Sequence, residues 1–111
     1  SAYPLSLPAV DPPVANEANS NSFVKAWAYW NGATAFNYNL SSFTHPSTGV
    51  YIATFDTDFS SANYGVVITP EGGDFRAVVN SKSTGAVTIN IYDSAGSLAN
   101  ADFNLIAIGT Q

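Results

Sequence analysis

Few residues in this chain could perform acid–base or metal chemistry. His45 is the only histidine, and there is no cysteine. A hydrolytic triad needs a base held against a nucleophile and oriented by a carboxylate. His45 instead precedes Pro46 in a Ser/Thr/Gly-rich stretch, where we expect an exposed turn. One histidine without cysteine is also a poor transition-metal site, so the sequence predicts neither a catalytic base nor a metal ligand here.

Two acidic side chains, Asp56 and Asp58, are two positions apart. Residues i and i+2 of a strand share a face, so this pair could flank a sugar or hold calcium. Calcium takes six or more oxygen ligands, and we interpret the pair as a solvated acidic strand end.

A glycine-containing segment, residues 70–74, might be taken for a phosphate-binding loop. It lacks the following lysine and helix that such loops use to attract anions. We predict a hairpin loop there, and for the whole chain neither an enzyme nor a cofactor site.

Aromatic and amide side chains are the remaining candidates for function. Aromatic rings stack on the C–H faces of sugars, while amides and hydroxyls bond sugar hydroxyls. Rings within strands are expected to be core, namely Trp27, Tyr51, Phe55, Tyr64 and Phe103. For a buried Trp27 this predicts that Trp27→Ala costs about 3–5 kcal/mol. Residues near strand ends and loops are the predicted ligand-binding set: Trp30, Asn31, Tyr38, Asp74, Phe75, Arg76 and Tyr92.

Composition predicts that these residues are carried by an all-β domain. Hydrophobic residues make up 46% and charged residues only 10%, so Ser, Thr and Asn must supply the polar surface. These residues disfavour helix interiors and suit strands and turns. The formal charge of −5 with three basic residues argues against a nucleic-acid partner and against insertion into or binding to an anionic membrane. Without cysteine, stability cannot come from disulfides.

Turn signals divide the chain into a linker and one domain. Residues 1–22 contain four prolines and are predicted to be a linker or arm. Residues 23–111 are predicted to form an antiparallel β-sandwich of about seven or eight strands. Whether residues 33–44 form one bent strand or two is left open. The other predicted strands are residues 23–30, 50–55, 63–69, 74–80, 86–92 and 102–109.

The order and spacing of several short segments resemble a known family. The chain is similar, over residues 23–109, to the C-terminal domain of phage tail fibres and related trimeric bacterial fibres. Members of this family usually have Phe after the first tryptophan, where this chain has Trp30. Residues 70–76 show no family pattern. The resemblance is carried by Lys25-Ala26-Trp27, Trp30-Asn31-Gly32, Asn39-Leu40-Ser41-Ser42, Gly49-Val50-Tyr51 with Phe55, Asn63-Tyr64, Val66-Val67, Asp93, Gly96, Asp102 and Ile108-Gly109.

This resemblance implies a homotrimeric fibre tip that recognises the surface of a host or prey cell. The expected partners are two further copies of the chain and a bacterial surface glycan or surface protein. The expected location is a virion tail fibre or an extracellular fibre. The linker would join the tip to the fibre shaft, and three copies per fibre would strengthen weak single-site binding.

Other interpretations remain open from the sequence. A carbohydrate-binding module of a secreted enzyme would be a monomer with an aromatic platform on one sheet face. A capsid or pilus subunit would assemble without binding a receptor. A small hydrolase would need a base and a nucleophile that the sequence does not supply.

Overall fold

Residues 23–111 form eight β-strands, and this is the part of the chain that the computed structural model describes. The predicted linker, residues 1–22, lies outside the described residues. No described residue belongs to a helix long and apolar enough to cross a membrane. The strands are β1 (Val24–Trp30), β2 (Ala35–Tyr38), β3 (Leu40–Ser47), β4 (Val50–Phe55), β5 (Gly65–Glu71), β6 (Arg76–Lys82), β7 (Ala86–Tyr92) and β8 (Asp102–Ile108).

The strands are arranged in two four-stranded sheets. Sheet 1 has the order β2-β1-β8-β5, and sheet 2 has the order β3-β4-β7-β6. Every pair of neighbouring strands is antiparallel. The predicted antiparallel β-sandwich of about seven or eight strands is therefore confirmed for the described residues.

The core lies between the sheets and follows from strand alternation. Val87, Ile89 and Ile91 of β7 are fully buried while the residues between them are not, as their period of two predicts. Small and large residues share the inner layer, which lets its side chains interdigitate. The small ones are Ala26, Ala28, Ala53 and Ala107, and the large ones include Tyr51, Phe55, Phe103 and Leu105.

Asn39 turns the chain from sheet 1 to sheet 2 and decides the open question about residues 33–44. Its φ of 63° lies in the left-handed region, which asparagine tolerates better than most residues. Its Nδ2 donates to the Lys25 carbonyl and its Oδ1 accepts from the Thr57 N–H, both at 2.9 Å. Because the chain bends here, residues 33–44 contribute to two strands, β2 and β3.

Edge strands hold both prolines that fall within strands. Pro46 lies in β3 and Pro70 in β5, and each of these strands is at the edge of its sheet. An edge strand has one side without a ladder partner, so a missing N–H is tolerated there. The turn expected from His45 onward is therefore shorter than predicted, because β3 continues to Ser47 and the turn is confined to residues 48–49. The prediction of a hairpin at residues 70–74 was also wrong, since the loop after Glu71 crosses from sheet 1 to sheet 2.

The two ends of the sandwich differ in what they carry. We call the end where Val24 pairs with Ile108 the terminal end, because residues 23 and 109–111 lie there. We call the opposite end, where Trp30 pairs with Phe103, the far end. Four connections meet at the far end: residues 31–34, 48–49, 72–75 and 93–101.

Candidate functional site

Six of the seven predicted ligand-binding residues lie at the far end. Strand pairing places Arg76 opposite Tyr92 at this end of sheet 2. Trp30 closes β1 at the same end of sheet 1, opposite Phe103. The other three lie on the connections that meet there: Asn31, Asp74 and Phe75. The fold thus gathers residues that are as far apart as positions 30 and 92 in the sequence.

Trp30 points inward rather than into solvent. It is half-buried against the core, and its ring stacks on Phe43 with centroids 5.4 Å apart. It also meets Tyr51 and His45 edge-on, each at 5.9 Å between centroids. Aromatic pairs at these distances stabilise a fold by about 0.5–1.5 kcal/mol beyond area burial. Trp30 therefore supports the far end and offers little of its ring to a ligand.

His45 belongs to the same aromatic cluster, so its expected exposure was wrong. Its ring stacks on Tyr51 with centroids 4.2 Å apart, and it is half-buried. Its Nδ1 lies 2.8 Å from the Val50 carbonyl oxygen, which makes this nitrogen the hydrogen-bond donor. The bond goes to the backbone and not to a carboxylate, so the geometry is that of a packed, structural histidine. Burial raises the pKa of the neighbouring Tyr51 hydroxyl.

Arg76 and Tyr92 form a cation–π pair at the far end. The Arg76 guanidinium lies 4.8 Å from the centre of the Tyr92 ring, a cation–π contact that is worth about 0.5–1 kcal/mol at exposed sites. Arg76 is exposed and Tyr92 half-buried. The chain's other two cations, Lys25 and Lys82, bond backbone carbonyls at the terminal end. Arg76 therefore carries the only cationic side chain of the far end.

The remaining far-end candidates differ in how much they can offer a ligand. Asn31 uses its Oδ1 to accept from the Ala33 and Thr34 N–H groups, at 3.0 and 2.7 Å, so this oxygen holds the β1–β2 turn. Phe75 is half-buried and packs against the core. Asp74 is exposed and presents a surface carboxylate on the connection before β6.

Trp27 contradicts its assignment to the core, and Tyr38 lies beside it. Trp27 is 41% exposed and Tyr38 is 57% exposed, and the two residues face each other across β1 and β2. The inner positions of β1 are taken by Ala26 and Ala28, which turns Trp27 to the outside of sheet 1. The cost of about 3–5 kcal/mol expected for Trp27→Ala applies to a buried ring and not to this one. The other four core assignments, Tyr51, Phe55, Tyr64 and Phe103, are confirmed.

The outer surface of sheet 1 is therefore a second candidate site, which we call the aromatic face. Four residues in register across the sheet form its central row, and a second row lies next to it toward the far end. The central row is Tyr38, Trp27, Ile106 and Val67, and the second row is Phe36, Tyr29, Asn104 and Thr69.

Polar groups of the aromatic face are concentrated at its far-end side. The Tyr29 hydroxyl donates to one Glu71 oxygen and the Asn104 amide to the other, both at 3.0 Å. The bond to the Glu71 carboxylate raises the pKa of Tyr29. A shallow cavity of about 350 Å³ lies between Trp27, Ile106, Asn104 and Thr69. The face combines a flat apolar floor with a polar edge.

The side-chain geometry of the described residues does not support a metal site or a joint role for Asp56 and Asp58. Within residues 23–111, no three His, Asp or Glu side chains come together in a group that could hold a metal ion. Asp56 and Asp58 are exposed in the loop that follows β4, and Asp58 lies against Gly85.

A polar cavity of about 340 Å³ lies at the terminal end. It is lined by Ser60, Ser61, Asn63, Tyr64, Ile108, Gly109 and Thr110.

Comparison with known proteins adds no relative to this picture: no protein-family model, no curated protein and no solved structure matches the chain.

Proposed function

We propose that this domain is the non-catalytic tip of a trimeric tail fibre or adhesive fibre and that it recognises a glycan on a bacterial cell surface. The observation that carries the proposal is the separation of the two ends of the sandwich. Residues 1–22 join the domain at the terminal end, where β1 begins. Six predicted ligand-binding residues lie at the opposite end, which a shaft joined through residues 1–22 would leave free.

The chemistry of the far end suits a glycan better than a nucleic acid or a lipid surface. One cation, Arg76, lies there over an aromatic ring, and the same end carries the exposed Asp74 carboxylate and the Asn31 side chain. Such mixed planar groups bond sugar hydroxyls, whereas phosphate backbones require clustered cations. Weak contacts of this kind gain strength when several copies bind one surface together.

Binding of the fluorescently labelled chain to whole bacterial cells tests this proposal. We expect Arg76→Ala and Asp74→Ala each to weaken cell binding about tenfold, or about 1.4 kcal/mol, with unchanged thermal unfolding. The matched control is Asp56→Ala, which removes an exposed carboxylate at the terminal end and should leave binding unchanged. Cell binding that tolerates both far-end substitutions, or no binding to any strain of a broad panel, would contradict the proposal.

A second candidate function is supported by the aromatic face. A carbohydrate-binding module of a secreted enzyme is expected to be a monomer with an aromatic platform on one sheet, and Trp27 with Tyr38 provides such a platform. The two functions differ in oligomeric state and in the residues that contact the sugar. A monomer that binds purified polysaccharide through Trp27 would favour the module, and a trimer that binds cells through Arg76 would favour the fibre tip.

A further inference from the structure

Arg76 is the cation of the far end, and within residues 23–111 it has no acidic partner. In this part of the chain its guanidinium contacts the Tyr92 ring and forms no ion pair. Asp93, the acid that follows Tyr92, uses its Oδ1 to accept from two N–H groups of its own turn. Arg76 is exposed, and a guanidinium has five N–H donors in a planar fork. These donors are therefore available to a ligand.

Strand pairing fixes where this guanidinium lies. Arg76 and Tyr92 are directly opposite each other on β6 and β7. Ile91, next to Tyr92, is fully buried, so strand alternation places Tyr92 and its partner Arg76 on the outer surface of sheet 2. A guanidinium that already rests on a ring loses less freedom when it binds a ligand. The pair is thus an outward-facing group whose orientation is set before binding.

The Tyr92 hydroxyl and the Val78 side chain complete this surface. The hydroxyl lies 3.5 Å from Asn90 Nδ2, a long contact that leaves it able to donate elsewhere. Val78 follows Arg76 by two residues on β6, so the two side chains share a face, and Val78 is 40% exposed. This corner of sheet 2 therefore offers hydrogen-bond donors next to an apolar side chain, the combination that binds the polar and C–H parts of a sugar.

The donors of this corner favour a ligand group that only accepts hydrogen bonds. A neutral sugar hydroxyl both donates and accepts, whereas an ionised carboxylate accepts through both oxygens. A guanidinium binds a carboxylate through two parallel N–H···O bonds, which are stronger than bonds between neutral groups. Polymers of phosphate require clustered cations, and the far end has Arg76 alone in a chain of formal charge −5. A carboxylate with a single charge fits best.

We propose that Arg76 and Tyr92 bind the carboxylate of an acidic sugar of the uronic acid class, with the sugar ring over Val78. The inference rests on the proposed function for the presence of a glycan and adds the chemical class of the sugar. Asp74, exposed on the connection before β6, remains an acceptor for sugar hydroxyls. Since the carboxylate is the recognised group, glucuronate is a sufficient probe.

Nuclear magnetic resonance titration of the isotope-labelled chain with glucuronate tests this site. Glucose is the matched neutral sugar, and acetate is the matched carboxylate without a sugar ring. We expect the Arg76 side-chain signal to shift with glucuronate, which should bind about tenfold more tightly than either control and more weakly at high salt. No shift, or equal affinity for glucose, would overturn carboxylate recognition. Equal affinity for acetate would overturn the contact with the sugar ring.

Three variants separate the planar fork of Arg76 from its charge. Arg76→Gln should reduce the affinity for glucuronate to that for glucose. Arg76→Lys keeps a point charge without the fork and should bind between Arg76→Gln and the wild type. Lys82→Gln removes the same charge at the terminal end and should bind like the wild type. If Lys82→Gln and Arg76→Gln lose equal affinity while both remain folded by circular dichroism, the carboxylate does not bind at Arg76.

Failure of this inference is distinguishable from failure of the proposed function. If Arg76→Ala weakens binding to cells while glucuronate does not bind, this inference fails and the proposed function stands. If glucuronate binds through Arg76 while no strain of the panel is bound, the proposed function fails and the carboxylate site stands.

Discussion

The terminal end and the far end of the sandwich are held together by different kinds of contact. At the terminal end, hydrogen bonds join residues that are distant in sequence: Lys25 Nζ donates to the Gly109 carbonyl at 2.6 Å, and the Tyr64 hydroxyl donates to the Ser83 carbonyl at 2.8 Å. At the far end, many side-chain bonds are local, although the Gly49 N–H donates to Asn100 Oδ1 across 51 residues. Asp93, for example, accepts from N–H groups two and four residues later.

The contacts that hold the two sheets together are therefore largely different from the contacts that shape the far-end loops. Long-range bonds at the terminal end fix the two sheets relative to each other, and ring packing around Tyr51 does so at the far end. Two of the far-end connections contain turns that fold on themselves, as the Asn31 and Asp93 turns show. Exposed far-end side chains that make no long-range bond can therefore change without altering how the sandwich closes.

Gly49 is the exception to this pattern and should give the largest effect. Its φ is +73°, and a Cβ there would lie 2.7 Å from the Ile91 carbonyl oxygen and 2.9 Å from the Ala99 nitrogen. We expect Gly49→Ala to cost on the order of 3 kcal/mol, from left-handed strain plus a clash with backbone that cannot yield. The measurement is the midpoint of urea unfolding.

Gly72→Ala is the matched control for Gly49→Ala at the same end. Gly72 has a φ of +88°, but nothing lies within 4 Å of its Cβ position. Left-handed strain alone should then cost about 1–2 kcal/mol. If the two variants unfold at the same urea concentration, the 48–49 turn is not fixed against the 93–101 connection.

Asn39→Ala should give the next largest effect and tests closure of the terminal end. The substitution removes two side-chain hydrogen bonds of 2.9 Å, to Lys25 and Thr57, and places alanine at positive φ. We expect a loss of about 2–3 kcal/mol in the free energy of unfolding. Asn39→Asp keeps the acceptor for the Thr57 N–H and should cost less, so equal losses would argue against this account.

Tyr64 should make stability depend on alkaline pH, with the smallest effect of the three. Burial raises its pKa from 10 to about 12. Because the folded state favours the neutral hydroxyl, its contribution is complete below pH 10 and is lost as pH rises through about 12. Thermal unfolding of the wild type and of Tyr64→Phe between pH 8 and 12 measures this.

The stability of Tyr64→Phe at neutral pH is the reference for the measurements at alkaline pH. The variant loses the bonds to Ser83 and Ala86 and should be about 1 kcal/mol less stable there. Its deficit should shrink as pH rises, since phenylalanine has no proton to lose. A deficit that stays constant up to pH 12 would show that the pKa of Tyr64 is the same in the folded and unfolded states, and would contradict this account.

Strand alternation predicted the core of sheet 2 well, since Val87, Ile89 and Ile91 are apolar and alternate with more polar residues. The same principle could not decide β1, because both of its faces are apolar: Ala26 and Ala28 on one side, Trp27 and Tyr29 on the other. Side-chain size suggested that the tryptophan is inside. Packing decided otherwise, because the alanines leave room for the large rings of neighbouring strands.

Among the candidate site residues, the sequence indicated where most of them lie but not which way each one faces. Clustering of Arg76 with Tyr92 depends on the register of β6 and β7, which shifts between Val79 and Ser81, and the sequence does not show this shift. Pro46 suggested a turn, because local sequence does not show that β3 is an edge strand. The sequence analysis also missed the aromatic face. Its rows form only when four strands align in register, and the local sequence of each strand does not show that alignment.

The course of β1 also determines how the domain would bear a mechanical load. A pull between the residues that precede β1 and a ligand held at the far end acts along this strand, which is hydrogen-bonded to β2 on one side and β8 on the other. Antiparallel hydrogen bonds lie across the strand direction, so such a pull shears many of them at once. A pull between Val24 and Ile108, which are partners in one ladder, would instead open the pairs one after another. The domain is therefore expected to resist force best along β1, the direction in which a cell bound at the far end would pull under the proposed function.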